Sequence, residues 1–226
     1  EGGSILVFLP GAREIERTAE MLRARMRDPN VDIRPLFGAM SGAEQDAAIA
    51  PSPVGRRKVV LATSIAETSL TIDGVSVVVD SGLARRPRFE PAVGVSRLET
   101  VRASQAAIAQ RAGRAGRLAS GVCWRLWSEG ETRSLPAFDR PDILDSDLST
   151  LSLDLAAWGV SDPMSLTWLD PPPAPAWAEA KSLLARIGAL DETGRLTPHG
   201  ANIACLPLPA RLAHMVDAGQ VLEQFV

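Results

Sequence analysis

The residues best suited to chemistry lie in one octet, Gln110-Arg-Ala-Gly-Arg-Ala-Gly-Arg117. On a helix, at 100° per residue, Gln110, Arg114 and Arg117 stand at i, i+4 and i+7 and share one narrow stripe. Gly113 and Gly116 flank the stripe on one side and Arg111 on the other. A glycine inside a helix costs about 1 kcal/mol relative to alanine, so two in four residues imply a close approach of the backbone to something. Two arginines stacked on one face repel unless an anion sits between them. Guanidinium forks match phosphate oxygens in a bidentate way. The stripe therefore reads as a donor cluster aimed at a polyphosphate. An arginine-rich solvated helix is the competing reading, since Lys58 and Lys181 are the only lysines. Glutamine, three arginines and two glycines within eight residues favour the phosphate.

Something must hold that octet in place, and the chain before it alternates strand and helix. Ser4–Leu9 is a continuous apolar run, as in a strand buried on both faces of a parallel sheet. Ile15, Ala19, Leu22 and Met26 then recur at helical spacing over residues 12–27. Val31–Phe37 is a second strand, and Ser41-x-x-Glu44 is a capping box opening a short helix to Ala50. Lys58–Ala62 is a third strand, Ser64-x-x-Glu67 a second capping box, and Val75–Val79 a fourth strand. This alternation predicts a right-handed, doubly wound α/β sheet.

Ligands of such sheets bind beyond the carboxyl ends of the strands, which singles out Pro10-Gly11, Thr63-Ser64 and Ser81-Gly82. Thr63 and Ser64 offer hydroxyls and helix N-terminal amides to a backbone phosphate, although Ser64 capping its own helix is equally open. Residues 83–102 predict a hairpin around a Pro91–Gly94 turn, decorated by Arg85, Arg86, Arg88, Arg97 and Arg102. Ser104 caps the helix of the octet, and Gly121–Trp127 is a closing strand. Leu148, Leu151, Leu155 and Trp158 form a helical stripe stopped by Gly159. Ala178–Ile187 is a further helix, Ala189–Leu196 a short hairpin, and Thr197-Pro198 an N-cap with proline at N1. The five tryptophans are expected mainly in the core. His199 and His214 read as structural.

Composition bounds the rest. Apolar residues at 46% and charged residues at 23% suit a globular protein, and no apolar run reaches membrane-spanning length. Cys123 and Cys205 are isolated thiols, which fits a reducing cytoplasm and supplies too few partners for a metal site. The net charge of −3 hides an asymmetry: residues 1–117 carry 17 basic and 13 acidic side chains, residues 118–226 carry 7 and 14. A nucleic-acid partner is expected on the first half, above all on 81–117, with 8 basic and 2 acidic side chains. A chain that opens on Glu1-Gly-Gly-Ser without methionine, directly before a strand, is expected to be a fragment.

The octet resembles motif VI of superfamily 2 helicases, in the form carried by the DEAH-box/RHA family. Ala62-Thr-Ser-Ile-Ala-Glu-Thr-Ser-Leu-Thr-Ile-Asp-Gly74 resembles that family's motif V, and Ile5-Leu-Val-Phe-Leu-Pro-Gly11 its motif IV. The segment Leu83–Ser104 and Leu169-Asp-Pro-Pro-Pro173 are most similar to its bacterial HrpB branch. The resemblance implies a RecA-like domain over 1–128 with a β-hairpin insertion, and a mainly α winged-helix domain over 129–200. It implies the start of a truncated helical ratchet domain over 201–226.

It further implies an ATP-dependent RNA helicase in which Gln110 orients the attacking water while Arg114 and Arg117 stabilise the transferring phosphoryl. Thr71, Asp73 and Gly113 would lie at the nucleotide, with Asp73 reaching the ribose. Gly11, Gly38, Thr63, Ser64, Ser81, Gly82 and Arg85 would lie along the RNA. Relatives usually carry asparagine where this chain has Ser64. Many place an aromatic near Ile49, so selectivity among ATP, GTP, CTP and UTP should be weak. The sequence has no G-x-x-x-x-G-K-[ST] loop, so the phosphate cradle and the acids for Mg²⁺ are expected on a preceding RecA-like domain, and this chain alone should be inactive. Two other readings stay open: a non-catalytic winged-helix module, which would want a basic recognition helix in the acidic second half, and a DNA-directed helicase.

Overall fold

Alternate residues of Ser4–Phe8 (β1) are buried, and a parallel strand lies on each side of it. A computed structural model describes residues 3–67, 70, 72–91, 93–115 and 120–223. Val31–Leu36 (β2), Arg57–Ala62 (β3), Val75–Asp80 (β4) and Val122–Arg125 (β7) complete a sheet ordered β2-β3-β1-β4-β7, parallel throughout. Its apolar strands are covered on both faces, as a parallel sheet requires.

Ala12–Arg25 (α1) buries Ile15 and Ala19 on one face, against Val59 and Leu61. The other face gathers Leu6, Phe8, Leu36, Val60, Ala62 and Val78 with Ala48 of Gly42–Ile49 (α2) and Ala66. Layered helices on both faces make the domain doubly wound and RecA-like, as the strand–helix alternation predicts.

Leu83–Glu90 (β5) and Val95–Arg102 (β6) pair as a separate two-stranded sheet, the predicted hairpin. Gln105–Gly113 (α3) follows, capped by the Ser104 hydroxyl, which accepts from the Ala107 amide at 3.1 Å. Glu129–Ser134 (α4) opens on a full capping box between Ser128 and Glu131.

The chain divides into two compact units, residues 1–86 with 98–139, and residues 87–97 with 140–226. The second contains Ser149–Ala157 (α5), Ala174–Arg186 (α6), Pro198–Ala204 (α7) and Ala210–Glu223 (α8), packed around Leu153, Leu184, Ala189 and Ile203. The expected hairpin near residue 190 is a single antiparallel bridge, Leu190 to Leu196. Thr197 caps α7 with Pro198 in its first turn, as predicted. Among the described residues no helix is long and apolar enough to cross a membrane.

Three expectations are corrected. The second capping box does not form: Ser64–Ala66 is one 3-10 turn without a side-chain cap. The octet is not one continuous helix. α3 ends at Gly113, and the Arg114 and Ala115 amides bond three residues back, to Arg111 and Ala112. Trp124 and Trp158 are 63% and 78% exposed and are not core. The two histidines, expected to be structural, pair with each other: His199 lies between Asp217 and His214, at 2.9 Å from each.

Candidate functional site

The backbone itself brings the loops after four strands side by side. The Leu9 amide donates to the Ala62 carbonyl at 2.9 Å, Thr63 to Leu36 at 3.2 Å, and Ser81 to Phe8 at 3.2 Å. Each bond carries the ladder past its strand, so Gly11, Gly38, Thr63, Ser64, Ser81 and Gly82 follow strands that end on one edge of the sheet. Thr63 is half-buried, and Gly38 and Ser64 are exposed.

Gly11 and Gly82 are buried, each under a specific neighbour. A Cβ on Gly11 would stand 2.9 Å from Arg85 Nε, and Arg85 reaches Glu14 of α1 at 3.4 Å. Gly82 has φ +69°, and a Cβ there would stand 2.7 Å from the Trp127 ring. A left-handed residue with no room for a methyl explains why glycine occupies this turn.

Asp73 lies at the other end of β4, exposed, two residues before the strand begins. α3 joins the two ends. It enters where the Ala103 amide donates to the Gly82 carbonyl, beyond the end of β4. It leaves at Ala115, whose carbonyl, like that of Ser76 near the start of β4, crowds Gly121. Gln110 and Gly113 are exposed along it. Nothing in the described chain lies within 4 Å of where a Gly113 Cβ would stand, whereas a Cβ on Gly121 would meet the Ala115 carbonyl at 2.0 Å. Thr71, Gly116 and Arg117 lie outside the described residues.

Arg114 is 8% exposed. Its guanidinium donates to the Leu70 carbonyl at 2.8 Å and, from both Nε and Nη2, to the Glu67 carbonyl. Gln110 is thus open to solvent, while the Arg114 side chain is turned into the loop after β3.

Sequence reasoning set Arg111 aside, yet it is the largest fully buried side chain of the chain's described residues. Its Nε donates to Glu67 Oε1 at 2.7 Å; Nη1 donates to Asp80 Oδ1 at 2.9 Å and to the Leu83 carbonyl at 3.1 Å. The guanidinium also stands 5.1 Å from the Phe8 ring centroid. Asp80 Oδ1 accepts in turn from the Gly82 amide at 2.8 Å. Burial raises the Glu67 carboxyl above its ordinary range, and this outweighs the lowering by Arg111. The available signal was Asp80, a carboxylate directly following the run Val77-Val-Val79 in β4.

Lys58 was likewise missed. It is 3% exposed, and its ammonium donates to the carbonyls of Ala48, Ile49 and Ala50 at 3.1, 3.0 and 2.6 Å. Three donors meet three acceptors at the C-terminal end of α2, where the helix dipole favours a cation. Desolvation still lowers its pKa, opposed by the charge of Asp73. Among the described residues no three His, Cys, Asp or Glu side chains converge as metal ligands would.

Residues 1–119 match the family model described as helicase conserved C-terminal domain. The chain is 49% identical over 216 residues to the ATP-dependent RNA helicase HrpB of Escherichia coli (strain K12), covering 96% of this chain and 26% of that protein. It is 40% identical to the pre-mRNA-splicing factor ATP-dependent RNA helicase prp22 of Schizosaccharomyces pombe, covering 95% and 19%. With the probable ATP-dependent RNA helicase DHX34 of Homo sapiens it shares 37% identity, covering 99% and 20%. The crystal structure of the E. coli DEAH/RHA helicase HrpB superposes with a TM-score of 0.88 at 48% identity, over 95% of this chain and 27% of that one. The chain thus spans between a fifth and about a quarter of the length of these relatives.

Proposed function

Because the chain belongs to the helicase conserved C-terminal domain family over residues 1–119, we propose that it is one wall of an ATP-driven RNA motor. In this reading residues 1–128 are the second RecA-like domain, 129–200 a winged helix, and 201–226 the start of a helical ratchet. A preceding RecA-like domain supplies the phosphate-binding loop and the acids for Mg²⁺, and hydrolysis takes place in the cleft between the two. The setting is a reducing cytoplasm, in keeping with the two free thiols.

The observation that carries the reading is the placement of α3. It runs between the edge bearing Thr63, Ser64, Ser81 and Gly82 and the end of β4 bearing Asp73, with Gln110 exposed midway. A helix in that position touches both a nucleotide at one end and a nucleic-acid backbone at the other.

Gln110 orients the attacking water, and Arg114 and Arg117 stabilise charge on the transferring phosphoryl. Thr71, Asp73 and Gly113 line the nucleotide. Arg114 is held in reserve by the Glu67 and Leu70 carbonyls. A phosphate oxygen is a charged and stronger acceptor than either carbonyl, so cleft closure draws the guanidinium over. Thr63, Ser64, Ser81 and the backbone at Gly11, Gly38 and Gly82 follow the RNA strand, with Arg85 beside them.

The test uses the intact protein. Arg114→Ala lowers ATP hydrolysis by about 10³-fold, and Gln110→Ala, at an exposed position that leaves packing untouched, lowers it by about 10²-fold. RNA affinity stays within about threefold in both. A loss of less than about tenfold in hydrolysis for Arg114→Ala rules out the phosphoryl role. Measurable turnover by this chain alone would show that the nucleotide site has been misplaced. Competition between matched RNA and DNA single strands tests the choice of RNA.

A further inference from the structure

Between the two ends of α3 lies a buried charge cluster to which neither end has a claim. We propose that Arg111 is a positioning residue that makes the phosphate-facing end of α3, the Thr63–Glu67 loop and the Ser81–Gly82 turn move as one block, so that RNA contact reaches the hydrolytic residues. The proposal rests on the function just described and adds a residue that touches neither nucleotide nor RNA.

Three observations carry it. First, Arg111 is 1% exposed and spans two carboxylates from different segments, Glu67 at 2.7 Å and Asp80 at 2.9 Å. A buried guanidinium cannot slide away from one carboxylate without leaving a charge unpaired in the interior. Second, each of the two acidic residues is itself tied to a candidate RNA turn, Asp80 through its carboxylate and Glu67 through its backbone. Asp80 accepts from the Gly82 amide, and the Glu67 amide closes the 3-10 turn by donating to the Ser64 carbonyl at 2.9 Å.

Third, Glu67 is gripped twice from the same stretch of chain. Arg111 holds its side chain, while Arg114, at the end of α3, holds its carbonyl. The planar fork makes these links directional, so a shift of α3 is transmitted rather than absorbed. The Leu83 carbonyl and the Phe8 ring close the remaining sides of the guanidinium. Phe8 lies in the strand leading to Gly11, which brings the third loop into the same block.

The experiment measures ATP hydrolysis by the intact protein with and without poly(U) RNA. Glu67→Ala removes the side-chain link and leaves the carbonyl for Arg114. Its RNA stimulation falls about tenfold, while RNA-free turnover and RNA affinity stay within about threefold of wild type. Glu67→Gln keeps an acceptor for Arg111 Nε and retains most of the stimulation. Arg111→Lys keeps the charge but cannot bridge two carboxylates and a carbonyl, so it behaves as Glu67→Ala.

Full stimulation in Glu67→Ala or Arg111→Lys overturns the proposal. So does a parallel fall of both rates in folded protein, which marks a merely structural role. If Glu67→Ala fails to fold, the contrast between Arg111→Lys and Glu67→Gln decides the same question. Absence of RNA-stimulated turnover in the wild type counts against the function itself, and so separates the two failures.

Discussion

Arg111 Nη1 stands 2.9 Å from Asp80 Oδ1, with the side chains 1% and 0% exposed. Such a pair contributes little beyond what a well-packed apolar pair would, because desolvation offsets most of the attraction. Breaking it from one side is another matter. Arg111→Met leaves Asp80 buried beside only the Gly82 amide, and should lower unfolding free energy by about 3–5 kcal/mol. Asp80→Asn in that background restores part of the loss, since a neutral amide needs no counter-charge. Urea unfolding of this chain measures both, and an Arg111→Met loss under about 1 kcal/mol would mean that the ion pair does not hold in solution.

Glu67 gives a pH dependence whose sign follows from its burial. Its carboxyl titrates above the ordinary value of 4.5, chiefly through desolvation. A raised acid binds its proton more tightly folded than unfolded, so its stabilising contribution is full below 4.5 and is lost as pH rises through the raised value. Glu67→Gln cannot titrate. The stability difference between wild type and Glu67→Gln should therefore move in favour of the variant as pH rises above 4.5 and through the raised value. Unfolding curves at several pH values read this directly. A difference that moves toward the wild type would mean that Arg111 outweighs desolvation, and one that stays flat that the two effects cancel.

The same residue shows where a sequence stops being legible. Ser41-x-x-Glu44 and Ser64-x-x-Glu67 are one pattern on the page. The first forms both halves of a capping box; in the second, Glu67 is taken by Arg111, 44 positions away. A local rule holds where no buried tertiary partner competes, and it fails where one does. Strands, hairpin, Ser104 cap and strand-end loops were readable because apolar periodicity and turn residues act locally. The end of α3 was not, since Arg114 leaves the helical stripe for carbonyls of a loop that only the sheet brings near. Trp158 misled for a similar reason: it extends the apolar stripe of α5 in sequence but lies past the last turn, 78% exposed, before Gly159.

Gly82 can be dissected by two substitutions. Alanine there meets two obstacles, a φ of +69° and the Trp127 ring at 2.7 Å from the new methyl. The ring cannot simply swing aside, because its Nε1 donates to Thr132 Oγ1 at 2.9 Å. Gly82→Ala should cost about 2–4 kcal/mol in all. In a Trp127→Leu background only the backbone part remains, about 1 kcal/mol. Chemical denaturation of the four proteins forms a double-mutant cycle, and simple additivity would show that the ring is not what excludes a side chain.

Ile49 bears on which nucleotide the motor accepts. It is the last residue of α2, half-buried against the cluster containing Ile72, and its carbonyl accepts from Lys58 at 3.0 Å. Ile72, which shares that cluster, immediately precedes Asp73, the proposed ribose contact. An isoleucine offers a base only apolar contact, with no ring to stack on and no group to read its edge. In the intact protein, kcat/KM for ATP, GTP, CTP and UTP should therefore agree within about fivefold. Ile49→Phe supplies a stacking face worth about 1–3 kcal/mol per base. KM for all four should fall by about fivefold or more, with the purines gaining most because they present the larger face. Equal KM values in variant and wild type would place Ile49 away from the base, and a wild type that already strongly prefers ATP would require a base-reading group elsewhere.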